Sequence, residues 1–136
     1  MSHLKDSVMD DFQYTIDDLS FRNRSILDQM SKIQEATARL NRAIVKASTQ
    51  CGCTQIHSKK QQYPLEEEIS LSDIKNFMDD HIEGKLCDMC LEHIEKEMGK
   101  TLYYLASLCN TLDLNLYDIL LKELNRVRLL GKYNLK

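Results

Sequence analysis

The hydrophobic pattern of this chain is helical over most of its length. From Ser20 onward, Ile26, Met30, Ile33, Thr37, Leu40, Ile44 and Ala47 recur at alternating steps of four and three. That spacing is a heptad seam on one face of a helix, and its next step lands on Cys51. It predicts a helix over about 20–49, roughly 45 Å long. So long a seam exceeds what short partners can cover, so self-association, most simply as a dimer, is expected. Residues 1–17 are weakly periodic and predict either a short helix or a terminal arm.

The pattern breaks over 51–69, where Gly52, Pro64 and the polar run "HSKKQQ" intervene. A structureless connection of that length is unusual within a compact domain, so something is expected to hold it down. A short helix is predicted next, over 71–83. Ser70 or Ser72 can cap it, Ile74, Phe77, Met78 and Ile82 form its apolar side, and Gly84 ends it. Cys87, Leu91, Ile94, Met98, Thr101, Leu105, Leu108 and Leu112 then keep three-or-four spacing over a helix of about 86–112. Asn115 is placed to cap a last helix over 116–130, which Gly131 would stop. The expected fold is all-α, a single domain built as a bundle of four main helices with a short fifth at the N-terminus as the alternative to an arm.

Composition narrows the function. The chain has 136 residues, 43% of them hydrophobic, enough for one core without disulfides. A net charge of −3 argues against a general nucleic-acid binder. No apolar run spans a bilayer, and the polar, acidic start resembles neither a signal nor a transit peptide. The reading is a cytoplasmic protein without a membrane role. In a reducing compartment, clustered cysteines serve metal binding or redox chemistry more often than stable disulfides.

Four of the five cysteines form two short pairs, C-x-C at Cys51 and Cys53 and C-x₂-C at Cys87 and Cys90. A structural zinc takes four soft ligands in a tetrahedron, and two short pairs supply them. Zinc is the first choice of ion. An iron–sulfur cluster uses the same ligands. His57 and His93 are reserve ligands. Two other readings stand beside this one. The cysteines can be small core residues. Alternatively, Cys87 and Cys90, in the first turns of a helix, can be a redox pair with a lowered thiol pKa. Cys109 reads as core. Neither the histidines nor any glycine-rich stretch forms a catalytic set or a phosphate loop.

The segment "EMGKTLYYLASLCNTLDLNLYDILLKELNRV", residues 97–127, resembles the second half of the MazG-like nucleotide pyrophosphohydrolases. The resemblance implies an all-α, oligomeric bundle. It also implies Mg²⁺ held by acids of two helices for cleavage of a nucleoside triphosphate. Here Glu97 matches the first acid of the family's Glu-x-x-Asp motif, but Lys100 stands in place of the aspartate. In "QEATARL" only Glu35 keeps a carboxylate, with Gln34 and Arg39 at the flanking motif positions. Glu35 and Glu97 are therefore the residual Mg-type acids, and the catalytic residues are unassigned. The expectation is a MazG-like protein with a degenerate Mg²⁺ site, acting as a non-catalytic or regulatory binding or scaffold protein with a four-cysteine metal site. It would bind a nucleotide or a protein partner. The alternatives are an active Mg²⁺-dependent pyrophosphohydrolase, with acids drawn from Glu66, Glu67, Glu68, Asp79 or Asp80, and a thiol redox protein.

Overall fold

The computed structural model describes residues 2–62 and 71–133, with side chains over 7–62 and 73–131. Five helices and one two-stranded ribbon make up the described chain: α1 (Ser2–Leu19), α2 (Ile26–Lys46), β1 (Thr54–Ile56), α3 (Leu71–Phe77), β2 (Ile82–Gly84), α4 (Asp88–Thr111) and α5 (Leu116–Tyr133). The all-α expectation holds at the level of class. None of these helices is long and apolar enough to cross a membrane. Ser70, Glu66, Glu67 and Glu68 lie outside the described residues, as does the side chain of Ser72.

α2 starts later than its periodicity suggested. Ser25, in an extended conformation, caps it by accepting a hydrogen bond from the Leu27 N–H at 3.3 Å. The helix does not run straight to residue 49. Its last turn, Ala47–Cys51, widens to π geometry, and the Gly52 N–H reaches back to the Ala47 carbonyl at 2.9 Å. The buried face also differs from the expected seam. Ile33, Leu40 and Ala47 are on it, but Gln29, Ala36 and Ala43 complete it, while Met30, Thr37 and Ile44 turn outward. The fully buried positions of this row include the small residues Ala36, Ala43 and Ala47, which permit close packing of a neighbouring helix.

The core lies along this α2–α4 contact. Ala43, Ala47 and Ile94 form its buried centre, with Leu40, Cys53, Leu86 and Cys90 packed around them. On α4 the buried residues are Ile94, Glu97, Ala106, Ser107 and Cys109. The expected apolar stripe is therefore only partly used, and Leu91, Met98, Leu105 and Leu112 remain exposed.

α1 is a full helix, not an arm, and polar atoms fasten it. Buried Gln13 donates to the Asn110 Oδ1 at 3.0 Å and to the Leu114 carbonyl at 2.7 Å. Its Oε1 accepts the Leu116 N–H at 2.8 Å, and its own carbonyl accepts from Asn110 at 3.0 Å. Asn115 caps α5 as expected, its Oδ1 accepting the Asp118 N–H at 2.9 Å. Gln13→Leu strands the Leu116 N–H and the Leu114 carbonyl together. A loss of about 2–3 kcal/mol is expected, read as a lower urea midpoint at unchanged slope.

Two expectations fail by element type. Ile82 and Gly84 do not extend and end a helix; α3 stops at Phe77, and 82–84 form a strand. Gly131 does not stop α5, which continues to Tyr133. β2 pairs antiparallel with β1 in the register Thr54↔Gly84, Gln55↔Glu83, Ile56↔Ile82. The His57 N–H extends the ladder to the His81 carbonyl at 2.8 Å. Beyond it, the Gln61 side chain bonds both backbone groups of Asp79, at 2.6 and 2.8 Å. This ribbon is what holds the base of the long connection.

Candidate metal centre

Two element ends meet where the ribbon begins. The C-terminal end of α2 delivers Cys51 on its widened last turn. Gly52 then takes a left-handed conformation, φ 80°, which reverses the chain and brings Cys53 back against α2. There the Cys53 thiol lies 3.7 Å from the Ala47 carbonyl. On the other side, Cys87 is the N-cap residue of α4 and Cys90 lies in the first turn. The spacing C-x₂-C fits this geometry: the Cys87 sulfur accepts the Cys90 N–H at 3.5 Å, as an N-cap oxygen would.

All four sulfurs lie within 4.8 Å of one another, and Cys51 Sγ is 3.7 Å from Cys87 Sγ. Around one zinc with bonds near 2.3 Å, tetrahedral sulfurs are about 3.8 Å apart. The observed cluster therefore needs contraction of less than about 1 Å to take a single ion. Four cysteine sulfurs this close together could hold a metal ion. Cys51 is exposed, and Cys53, Cys87 and Cys90 are half-buried. The inner pair, Cys53 and Cys90, packs on the core centre.

The thiols do not titrate alike. The Cys87 pKa falls to about 7, first through the Cys90 N–H on its sulfur and then through the neighbouring thiols. Cys90 rises to about 12, because a thiolate at Cys87 takes its proton in a hydrogen bond and burial penalises its charge. Without a cation the cluster thus ionises Cys87 readily and resists ionising Cys90 and Cys51. A dication removes that conflict, because its charge offsets several thiolates at once. In metal-stripped protein, the alkylation rate at Cys87 should rise with pH through a midpoint near 7, against about 8.5 for a free thiol. Stability follows the same sign. A lowered thiol pKa contributes stability above the unfolded value, and that contribution is lost as pH falls through about 7.

Two glycines that the sequence marks only as a break in the pattern and a helix end, Gly52 and Gly84, shape this site. Gly84, φ 85°, sits so close to the Cys53 turn that an added Cβ would meet the Cys53 carbonyl oxygen at 2.5 Å. The only sequence signals were a glycine between two cysteines and another three residues ahead of the second pair. The reserve histidines are not part of the cluster. His57 turns to Gln55 and Glu83, at 3.3 and 3.6 Å, and His93 is exposed on α4. Cys109 is buried in α4, and burial raises its pKa.

The residual Mg-type acids sit elsewhere on the α2–α4 pair. Glu35 is exposed, with Lys32 on Oε2 at 3.2 Å and Arg39 on Oε1 at 3.0 Å. These cations, Lys32 foremost through its hydrogen bond, hold its carboxyl below the usual range. Glu97 is buried, with Oε1 3.8 Å from the Lys100 Nζ and Oε2 without a hydrogen-bond partner. The groove here is lined by Lys32, Glu35, Ala36, Arg39, Lys100 and Tyr104. Asp79 is held by Lys59 at 2.9 Å, and Asp80 accepts the Ile82 N–H at 3.1 Å. Among the described residues, no three carboxylates or histidines converge as the cysteines do. No family model matches the chain, and neither a curated protein nor a solved structure is similar to it.

Proposed function

We propose that this chain is a zinc-stapled helical binding or scaffold protein, with one Zn²⁺ held by Cys51, Cys53, Cys87 and Cys90. The observation that carries the reading is the convergence of four sulfurs within 4.8 Å from two separate pairs. The metal's role is structural. Four protein ligands leave no open position for water or substrate, which is the mark of a structural rather than a catalytic zinc. The ion ties the end of α2 to the start of α4 and fixes the base of the 57–81 connection. Elemental analysis of protein purified without added metal should find one zinc per chain and no visible absorbance. Colour would point to iron, and metal-free protein would leave packing as the role of the cysteines.

The MazG-like resemblance of residues 97–127 enters this proposal as a degenerate one. Lys32, Arg39 and Lys100 outnumber the one carboxylate that lines the groove beside them, so the groove disfavours a divalent cation and suits an anion. That supports a non-catalytic role. The buried, unpartnered Glu97 Oε2 is the observation that favours the alternative, an active pyrophosphohydrolase. Pyrophosphate release from nucleoside triphosphates with Mg²⁺ or Mn²⁺, abolished by Glu97→Gln, would establish that alternative. A background rate unaffected by the substitution supports the binding reading.

A further inference from the structure

A polar cavity of about 180 Å³ lies at the opposite end of the α2–α4 pair from the cysteines. Asp17 comes to it from the end of α1, Ser20 and Arg24 from the link into α2, Gln29 from α2, and Ser107, Asn110 and Thr111 from α4. No apolar side chain lines it. Pockets for drug-sized ligands are mostly apolar and start near 300 Å³, so this one suits something small and polar, and a nucleotide does not fit. Its inner residues carry a specific demand. Gln29 and Ser107 are each only 2% exposed. Gln29 Nε2 donates to the Asn23 carbonyl at 3.0 Å, which fixes the amide, because a flip would set oxygen against oxygen. Gln29 Oε1 is left buried with no hydrogen-bond partner. Such an acceptor is rare in a native fold and calls for a donor from outside the chain. Asn110 beside it is engaged by Gln13 through both amide atoms, at 3.0 Å each. The rim carries two opposite charges, Asp17 and Arg24, both exposed. Neither is in an ion pair with the other or with any described residue. Arg24 is steadied by one bond, from Nη1 to the Ser20 carbonyl at 3.1 Å.

We propose that this cavity binds a small free α-amino acid as its zwitterion. The ammonium group supplies the donor that Gln29 Oε1 lacks and offsets the charge of Asp17, while the carboxylate takes the planar fork of Arg24. Other small ligands leave a group unmet. A simple anion would face Asp17 and the buried acceptor, a metal ion would face Arg24, and a neutral molecule would leave both charges unpaired. At roughly 30 Å³ per water-sized group, the space takes about six heavy atoms, the size of glycine, alanine or serine. The cavity shares no lining residue with the cysteine cluster or with the groove at Glu35. It therefore adds a ligand class that does not depend on the metal.

Calorimetric titration of the full, metal-containing chain with glycine, L-alanine and L-serine, each to about 10 mM, tests this. At least one should bind with a Kd of about 1 mM or tighter. Its N-acetyl and carboxamide forms, each lacking one charge, should bind about tenfold more weakly or worse. Asp17→Asn and Arg24→Ala change exposed side chains, so they should keep the far-UV helix signal and weaken binding by about tenfold each. Gln29→Leu removes the buried acceptor and should abolish binding; the two rim variants decide the matter if it does not fold. No heat from any of the three amino acids overturns the proposal and leaves the cavity to water. Equal binding of the blocked forms overturns it too, as does binding that survives Asp17→Asn/Arg24→Ala. Zinc content should be the same in every folded variant, so a failure here leaves the stapled-scaffold reading standing.

Discussion

Cys90→Ser is expected to empty the metal site and produce the largest loss of any single cysteine change. Serine keeps the volume but offers a hard, protonated hydroxyl where a soft thiolate should bind. Outer-shell changes at metal sites cost about 10- to 100-fold in affinity, so the loss of a ligand should exceed roughly a hundredfold. The zinc:protein ratio after dialysis should fall from about one to near zero. The thermal midpoint should fall with it, because metal-binding free energy in such sites is folding free energy. Cys109→Ser is the control. That thiol is buried in α4 away from the cluster, so it should keep its zinc and lose only about 1 kcal/mol of packing. Equal, modest losses for both variants, with no zinc in either, would show that all the cysteines merely pack.

Gly84→Ala should be nearly as damaging without touching a ligand. Two costs add at one position. The backbone is left-handed, φ 85°, which costs a residue with a Cβ about 1–2 kcal/mol. The new methyl also falls 2.5 Å from the Cys53 carbonyl oxygen, an atom of the opposing backbone that cannot swing aside. Relief requires β2 to move off β1, which separates Cys53 from Cys87. A total of about 2–5 kcal/mol is expected, with weakened metal retention. Gly52→Ala gives the contrast. Its φ is also positive, 80°, but nothing lies within 4 Å of the added Cβ, so the cost should stay near 1 kcal/mol. Thermal melts of the two variants with and without chelator separate these outcomes. If Gly84→Ala melts with the wild type and keeps its zinc, the ribbon does not position the site.

Much of the site could be read from the chain because its determinants are local. A C-x₂-C pair at the start of a helix presents both sulfurs to one side whatever packs against it, and Asn115 caps α5 by a bond three residues long. Helix content follows from periodicity for the same reason: the i to i−4 bonds of a helix are made within the segment. The ribbon was not legible. Its strands have three residues each and β2 is wholly exposed, so no alternation marks them. Its register is set by hydrogen bonds between residues some thirty positions apart in the chain. Such pairing depends on the partner and leaves little trace in either segment alone.

The buried face of α2 shows the boundary most clearly. Two adjacent rows satisfied the heptad, one carrying Met30 and Ile44, the other Ala36 and Ala43. Hydrophobicity favours the first. Packing against α4 chose the second: Ala43 and Ala47 are buried with Ile94, and small side chains permit short interhelical distances. Gln13 repeats the lesson with a polar residue. Nothing near it in sequence marks it as buried, since its partners Asn110, Leu114 and Leu116 lie about a hundred residues away. The sequence by itself determined the main helices, the Asn115 cap and the paired thiols, all of which depend on neighbours along the chain. Only the tertiary structure decided which helix faces are buried, how the ribbon closes and that four sulfurs meet, because each depends on residues brought together from distant segments.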